Sequence, residues 1–341
     1  MKASDRRPVA DGRLRLTALG LGGAALAGMY APVQAQEAAD TLAAAWDAGL
    51  RYIDTAPYYG YTLGEHRAGA FLRERPREEF VLGTKVGRLM RPDASVAAGS
   101  DGWAHPLPFR PVFDYRRDAI LRSVEDSLQR LGLDRVDMLL VHDIGRATHG
   151  AAHEVHWDAL TRGGGFRALE QLRREGVVAA IGLGVNEWEV MRDAMQECDL
   201  DCSLLAGRYT LLEQRSLTFL DECARRGHAI VVGGAFNSGL LAGQAKFDYA
   251  DAPPELLRRA AALRAACAEF DVPLEAAALQ FPLGHPAVVS VVSGMRSPAQ
   301  VRQNVAWFER PIPSGLWTAL RERALLDAAS PCPQERSKVP S

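Results

Sequence analysis

The stretch LTALGLGGAALAGMYAPVQAQEAADTL, residues 16–42, admits two readings that lead to different proteins. Arginines precede a run of small apolar residues that ends at Val33-Gln34-Ala35, the pattern of an export signal. The same letters can be a short strand over 16–22, a glycine turn and the helix QEAADTLAAAWDAGL. Cleavage after Ala35 would then remove a strand of the fold, whereas a true signal lies outside it. The rest of the chain decides between them.

Seven further short apolar runs follow, at 51–56, 80–86, 136–142, 179–185, 203–208, 229–234 and 288–293. Between them lie segments of helical period, among them TLGEHRAGAFLRE, RRDAILRSVEDSLQRLGL, FRALEQLRREG, EWEVMRDAMQEC, TFLDECARRG and PELLRRAAALRAACAEF. Continuous apolar strands suit a parallel sheet covered on both faces, and strand–helix alternation is the βαβ signal. Eight units predict an α/β fold, a (β/α)8 barrel whose reactive groups stand at the carboxyl ends of its strands. A doubly wound sheet is the competitor, and GLGGAALAG (20–28) has glycines near its dinucleotide fingerprint, but APVQAQ follows where a helix should already run. The strand reading of 16–22 would complete the barrel. It gives an N-terminal extension over 1–15, one barrel over 16–328 and a frayed polar tail over 329–341, in a soluble, cytoplasmic protein.

Composition narrows the partners. The chain has 341 residues, 48% hydrophobic, with a formal net charge of -2 and a pI near 6.5, so nothing electrostatic calls for nucleic acid or an anionic membrane. No apolar run reaches the roughly 18 residues of a spanning helix. Five cysteines without a CxxC pair argue against a disulfide framework or structural zinc, and no metal is expected. A small molecule is the expected ligand. Two long connections, 87–113 and 146–165, leave the carboxyl ends of the third and fourth strands, where loops of this length form lids or binding surfaces.

The strand ends carry the chemistry. YIDTAPYYG closes the second run with Asp54 and places Tyr58 and Tyr59 beyond it, VLGTKVG ends the third with Lys85, and LLVHD ends the fourth with His142 and Asp143. Lysine is rare here: of 40 basic residues only Lys2, Lys85, Lys246 and Lys338 are lysines, leaving 36 arginines. One of these four sits in an apolar strand, where a charge needs a partner. An ion pair with Asp54 is the structural alternative. The functional reading uses the same pair: a buried ammonium beside a tyrosine favours the phenolate and makes the phenol a usable acid or base near neutral pH.

The set DTAPYYG, GTKVG, VHD, IGLGVN and VSGMRSPAQVRQN resembles the aldo-keto reductases, in their order and over nearly the whole chain. The strand reading of 16–22 is the one implied by this family resemblance of the motifs at 54–60, 83–87 and 141–143. Within that family the branch of D-threo-aldose 1-dehydrogenases and pyridoxal 4-dehydrogenases is most similar, through AAWDAGLRYIDTAPYYGYTLGEHRAGAFL, REGVVAAIGLGVNEWEV, LLAGRYTLLEQ and GGAFNSGLLAG. The resemblance implies the catalytic tetrad Asp54, Tyr59, Lys85 and His142, with Tyr59 taken over Tyr58 because it directly precedes Gly60. It implies a bound nicotinamide dinucleotide touched by Gly22, Gly23, Asp54, Asn186, Phe236, Asn237, Ser238, Gly239, Leu241, Gly294, Met295, Arg296, Gln300 and Asn304. The last of these open a helix whose first turn should offer free N–H donors to a phosphate.

The sequence departs from the family at Ala206, where many members have a glutamine under the nicotinamide amide, and at Gln300, where a basic residue is familiar. The second departure weakens a 2'-phosphate site and favours NAD, with Arg296 keeping NADP open. The implied activity is oxidation of a hemiacetal carbon, in an aldose such as L-fucose, D-arabinose or L-galactose, to the lactone. Pyridoxal oxidation, NADPH-dependent aldehyde or ketone reduction, and a non-catalytic cofactor-binding barrel are the alternatives. Substrate contacts would come from Tyr59 and His142, with Trp103, His105, Trp157 and Phe236 as aromatic candidates on the rim.

Overall fold

The computed structural model describes residues 1–248 and 250–333. Eight parallel strands close into a barrel in simple chain order: β1 (Leu19–Gly22), β2 (Tyr52–Asp54), β3 (Val81–Val86), β4 (Met138–His142), β5 (Ala180–Val185), β6 (Cys202–Ala206), β7 (Ala229–Gly233) and β8 (Val288–Gly294). All eight apolar runs contribute a strand, because residues buried on both faces have no solvent side to alternate with. Lateral pairing carries Gly294 beside Gly22, Gly22 beside Asp54, Asp54 beside Gly83, Lys85 beside Leu140 and His142 beside Gly184. Their carboxyl ends therefore open on one mouth.

Helices wrap the barrel where the period predicts them. The helix Arg117–Leu131 buries Ile120, Val124, Ser127 and Leu131 at helical spacing and stops at Gly132, whose φ of 64° suits a left-handed cap. The last ring helix, Pro298–Glu309, starts with Pro298 behind the capping side chain of Ser297. Several helices escaped the period search, among them Leu274–Gln280, His153–Leu160 and Ser314–Glu322. The first is short and buried almost all round, so it shows no polar face to betray a stripe.

Four expectations are corrected. The run at 16–22 is not one strand: Leu14–Thr17 turns back on Arg6–Val9 as an antiparallel hairpin, and only Leu19–Gly22 enters the barrel. Residues 1–15 are thus no mere extension, because Val9, Leu14 and Leu16 pack on Tyr52, Met138, Cys202 and Val231 and plug the amino-terminal end of the barrel. The connection 87–113 contains its own antiparallel pair, Arg88–Pro92 with Phe109–Phe113. The tail does not fray at its start, since Ser330 and Cys332 are buried; residues 334–341 lie outside the described residues. No described helix is long and apolar enough to cross a membrane.

Candidate active site

Asp54 ends β2 and Lys85 lies one residue before the end of β3, so two neighbouring strands present opposite charges to the same buried space. The Lys85 ammonium spends its three donors at once, on Asp54 Oδ2 at 2.7 Å, the Thr55 carbonyl at 3.0 Å and Tyr59 Oη at 2.9 Å. Tyr59 accepts there, and its ring lies under the ammonium, 4.5 Å from Nζ to the centroid. His142, at the end of β4, meets that ring edge-on with centroids 5.9 Å apart. Tyr59, Lys85 and His142 border one cavity of about 750 Å³ at the barrel mouth, with Asp54 behind the lysine.

Tyr58 and Tyr59 are adjacent in sequence and both border the cavity, but their hydroxyls have different partners. The Tyr58 hydroxyl donates to Asp101 Oδ2 at 3.1 Å while the Arg88 guanidinium sits 4.0 Å over its ring. Only Tyr59 touches Lys85 among the two.

The electrostatics correct one expectation. Burial raises the Tyr59 hydroxyl above its usual value, and the Asp54 carboxylate adds to the rise while the lysine only offsets it. Tyr59 is therefore a phenol at neutral pH in the ligand-free protein. Burial alone would lower Lys85, but the Asp54 and Tyr59 oxygens outweigh it and hold the ammonium charged. His142 goes the other way: burial, then the charges of Arg88 and Lys85, hold it well below the ordinary imidazole range, so it is neutral. Its Nε2 stands 3.5 Å from Asp143 Oδ2, and its buried Nδ1 has no partner among the described residues.

The residues expected at the cofactor divide into groups. Asn186, just past β5, borders the cavity beside Gly184 and Val185. Gly22 and Gly23 leave β1 where a Cβ on Gly23 would stand 2.9 Å from the Asp54 carbonyl, so the turn has no room for a side chain. Past β7, Asn237, Ser238 and Gly239 all have positive φ, and Asn237 is fixed by the Thr210 hydroxyl at 2.7 Å and the Gly207 carbonyl at 3.2 Å. Gly294 ends β8 exposed, next to buried Met295 and to Arg296, whose guanidinium donates to the Met29 carbonyl at 3.4 Å.

The helix turn expected to offer free N–H donors has one of them, that of Gln300, already engaged. The Arg296 N–H donates to Gln300 Oε1 at 2.9 Å, and the Gln300 N–H donates to Ser297 Oγ at 3.2 Å. Asn304 is also engaged, accepting from Ser293 Oγ at 2.8 Å and donating to the Gln300 carbonyl at 2.9 Å. Leu241 is buried and Phe236 packs edge-on against Trp307, both away from the cavity.

Among the aromatic candidates, Trp103 alone lines the cavity, buried between Tyr58 and Tyr59 at 5.6 and 5.9 Å. Trp157 is corrected: it lies in the helix His153–Leu160 and packs on Phe166 and His153. His105 is exposed and off the cavity. Sequence reasoning missed Arg88, Asp101, Arg208 and Asp248 on the cavity wall, the last two joined by a two-fold ion pair at 2.9 Å. With 36 arginines in the chain, none of the missed ones carried a signal of rarity.

The model of the Aldo/keto reductase family matches residues 18–324. A pyridoxal 4-dehydrogenase of Microbacterium luteolum is 54% identical over 96% of this chain and 99% of its own length. A D-threo-aldose 1-dehydrogenase of a Pseudomonas species is 43% identical over 92% and 95%. An aldo-keto reductase of Bacillus halodurans, solved in its holo form, superposes with a TM-score of 0.73 at 25% identity, covering 96% of this chain and 97% of its own. The chain is a nicotinamide-dependent oxidoreductase and belongs to the aldo/keto reductase family.

Proposed function

We propose that the protein oxidises the hydroxyl-bearing carbon of a cyclic hemiacetal to the lactone, with pyridoxal as its first substrate, in the cytoplasm. The observation that carries the reading is the ammonium of Lys85 joined to Asp54, the Thr55 carbonyl and Tyr59 beside a neutral His142 on one cavity. The 54% identity to a pyridoxal 4-dehydrogenase supports the substrate, as does an aromatic wall of Tyr58 and Trp103 that suits a flat pyridine ring.

Tyr59 Oη is the acid/base atom. In the oxidising direction it takes the proton of the hemiacetal hydroxyl as a phenolate, while Lys85, itself neutralised by Asp54, steadies that charge. His142, being neutral, offers an N–H to the substrate oxygen without competing for the proton. A bound nicotinamide would supply the hydride acceptor that this oxidation needs. The residues fit such a group: Asn186 would hold its carboxamide beside the tetrad, the side-chain-free turn at Gly22 and Gly23 and exposed Gly294 would admit its diphosphate, and Arg296 with Gln300 would face the adenosine end. NAD is the favoured form, because Gln300 brings no positive charge to that end.

A second substrate class, the D-threo-aldoses, is favoured by Asp101, Glu187 and Asp248 on the cavity wall, which offer acceptors to sugar hydroxyls, and by the 43% identical relative. Absorbance of reduced cofactor distinguishes the two, with NAD and NADP in parallel and pyridoxal, L-fucose, D-arabinose and L-galactose as substrates. Oxidation of pyridoxal, abolished in Tyr59→Phe, is the expected result. Reaction with the sugars alone moves the assignment to the aldoses, and reduction of simple aldehydes with NADPH alone overturns the dehydrogenase reading.

A further inference from the structure

Arg88 is a buried cation that the chemistry above leaves unused. It follows Gly87, whose φ of 100° bends the chain sharply out of β3; a Cβ there would lie 2.3 Å from the Tyr115 ring, so the turn is committed to glycine. The bend swings the guanidinium back over the mouth, where it is 6% exposed and borders the cavity. One arm donates to Asp143 Oδ2, the same oxygen that stands 3.5 Å from His142 Nε2. Its carbon lies 4.0 Å over the Tyr58 ring and 5.0 Å from that of Phe113, and its Nε has no partner among the described residues. A planar fork is thus locked in place by a carboxylate and two aromatic faces, with donor capacity left over, one group away from His142.

We propose that Arg88, oriented by Asp143 and Tyr58, is a specificity-determining residue that recognises an ionised oxygen on the ring atom next to the one bearing the reacting carbon. This rests on the pyridoxal reading. A substrate whose reacting carbon faces Tyr59 and His142 brings the oxygen-bearing atom beside it against the next group on the wall. In pyridoxal that oxygen is the 3-hydroxyl, which is ionised near neutral pH because it sits on an electron-poor pyridine ring. In an aldose the corresponding group is a neutral hydroxyl. Against the Arg88 cation an ionised oxygen adds a charge–charge attraction that a neutral hydroxyl lacks, and a buried, low-dielectric site strengthens it, so Arg88 favours the pyridine substrate over the sugar.

The test is steady-state kinetics of the full chain with pyridoxal, 3-deoxypyridoxal and L-fucose, for the native protein, Arg88→Gln and Arg88→Lys. Arg88→Gln should lower kcat/KM for pyridoxal by about 10- to 100-fold more than for the other two substrates, the excess appearing chiefly in KM. Arg88→Lys, which keeps the charge and loses the fork, should fall between. In the native protein the KM for pyridoxal should rise as pH falls through the ionisation of its 3-hydroxyl, and that for 3-deoxypyridoxal should not follow.

Equal losses on all three substrates would reduce Arg88 to a counter-ion of Asp143 and overturn the proposal, as would equal native kcat/KM for pyridoxal and its 3-deoxy analogue. That last comparison needs no variant to fold. A native protein that oxidises the aldoses and not pyridoxal also overturns it, with the hemiacetal chemistry standing. One that oxidises neither removes the functional reading itself.

Discussion

At the scale of single residues, the site is governed by how burial treats charge. Lys85 and Asp54 are each about 2% exposed and compensate one another, so the pair is costly to break and cheap to keep. Lys85→Met should leave a buried uncompensated carboxylate and destabilise the fold by about 3–5 kcal/mol in urea unfolding. The double change with Asp54→Asn should recover part of that loss; equal destabilisation by both would refute the pairing. Tyr59 makes a kinetic prediction. Its hydroxyl is raised above the ordinary value, which lies near 10. Oxidation needs the deprotonated form, whose population below that value grows tenfold per pH unit. The kcat/KM for oxidation should therefore climb with pH from 7 towards 10, and that for reduction, which uses the phenol, should stay flat. An oxidation profile that levels below pH 8 would contradict the assignment. Tyr59→Phe should lower kcat by about 10²–10⁴-fold without lowering the thermal midpoint.

Asp54, Lys85 and His142 could be singled out in the sequence because they stand at the ends of three adjacent strands, and a lysine in an arginine-rich chain stands out, whereas the choice of Tyr59 over Tyr58 came from the family resemblance. The Arg88–Asp143 pair could not, because its meaning arises from a bend at Gly87 that only the three-dimensional course of the chain reveals.

At the scale of elements, parallel strands proved legible and capping pieces did not. Barrel strands are uniformly apolar and separated by helical periods, two signals that reinforce each other. The hairpin Arg6–Val9 and Leu14–Thr17 has neither: its strands are four residues long, and Arg6, Arg7, Arg13 and Arg15 give it the look of a polar leader. Its buried residues show what it does. Leu16 is wholly buried and sits among barrel-interior side chains from β2, β4, β6 and β7. Leu16→Ala should cost about 2–5 kcal/mol in urea unfolding, because the rigid barrel floor cannot collapse into the space. Its effect on turnover should be small, since the candidate site is at the opposite end. A variant as stable as the parent would mean that the plug is dispensable. The same logic explains the cofactor-facing helix turn. A strand entering a helix behind Ser and Pro was legible, whereas the engagement of the Gln300 N–H by Ser297 and of the preceding Arg296 N–H by the Gln300 side chain was a matter of rotamers.

At the scale of the whole molecule, the expected cofactor contacts come from the ends of β1, β5, β7 and β8 and so tie opposite sides of the barrel together. A ligand that bridges them stabilises the folded state by mass action, about 2.7 kcal/mol at a free concentration 100 times Kd. The thermal midpoint therefore reads cofactor choice without turnover. Gln300 supplies no cation, and its carboxamide oxygen is spent on the Arg296 N–H. The Arg296 guanidinium reaches the Met29 carbonyl at 3.4 Å, a long contact that a 2'-phosphate could outcompete. NAD should accordingly raise the midpoint more than NADP at equal concentration. Arg296→Ala should leave the NAD shift nearly intact and shrink the NADP shift further. If NADP instead gives the larger shift and Arg296→Ala erases it, then Arg296 alone supplies the phosphate site, and the missing charge at position 300 does not decide cofactor choice.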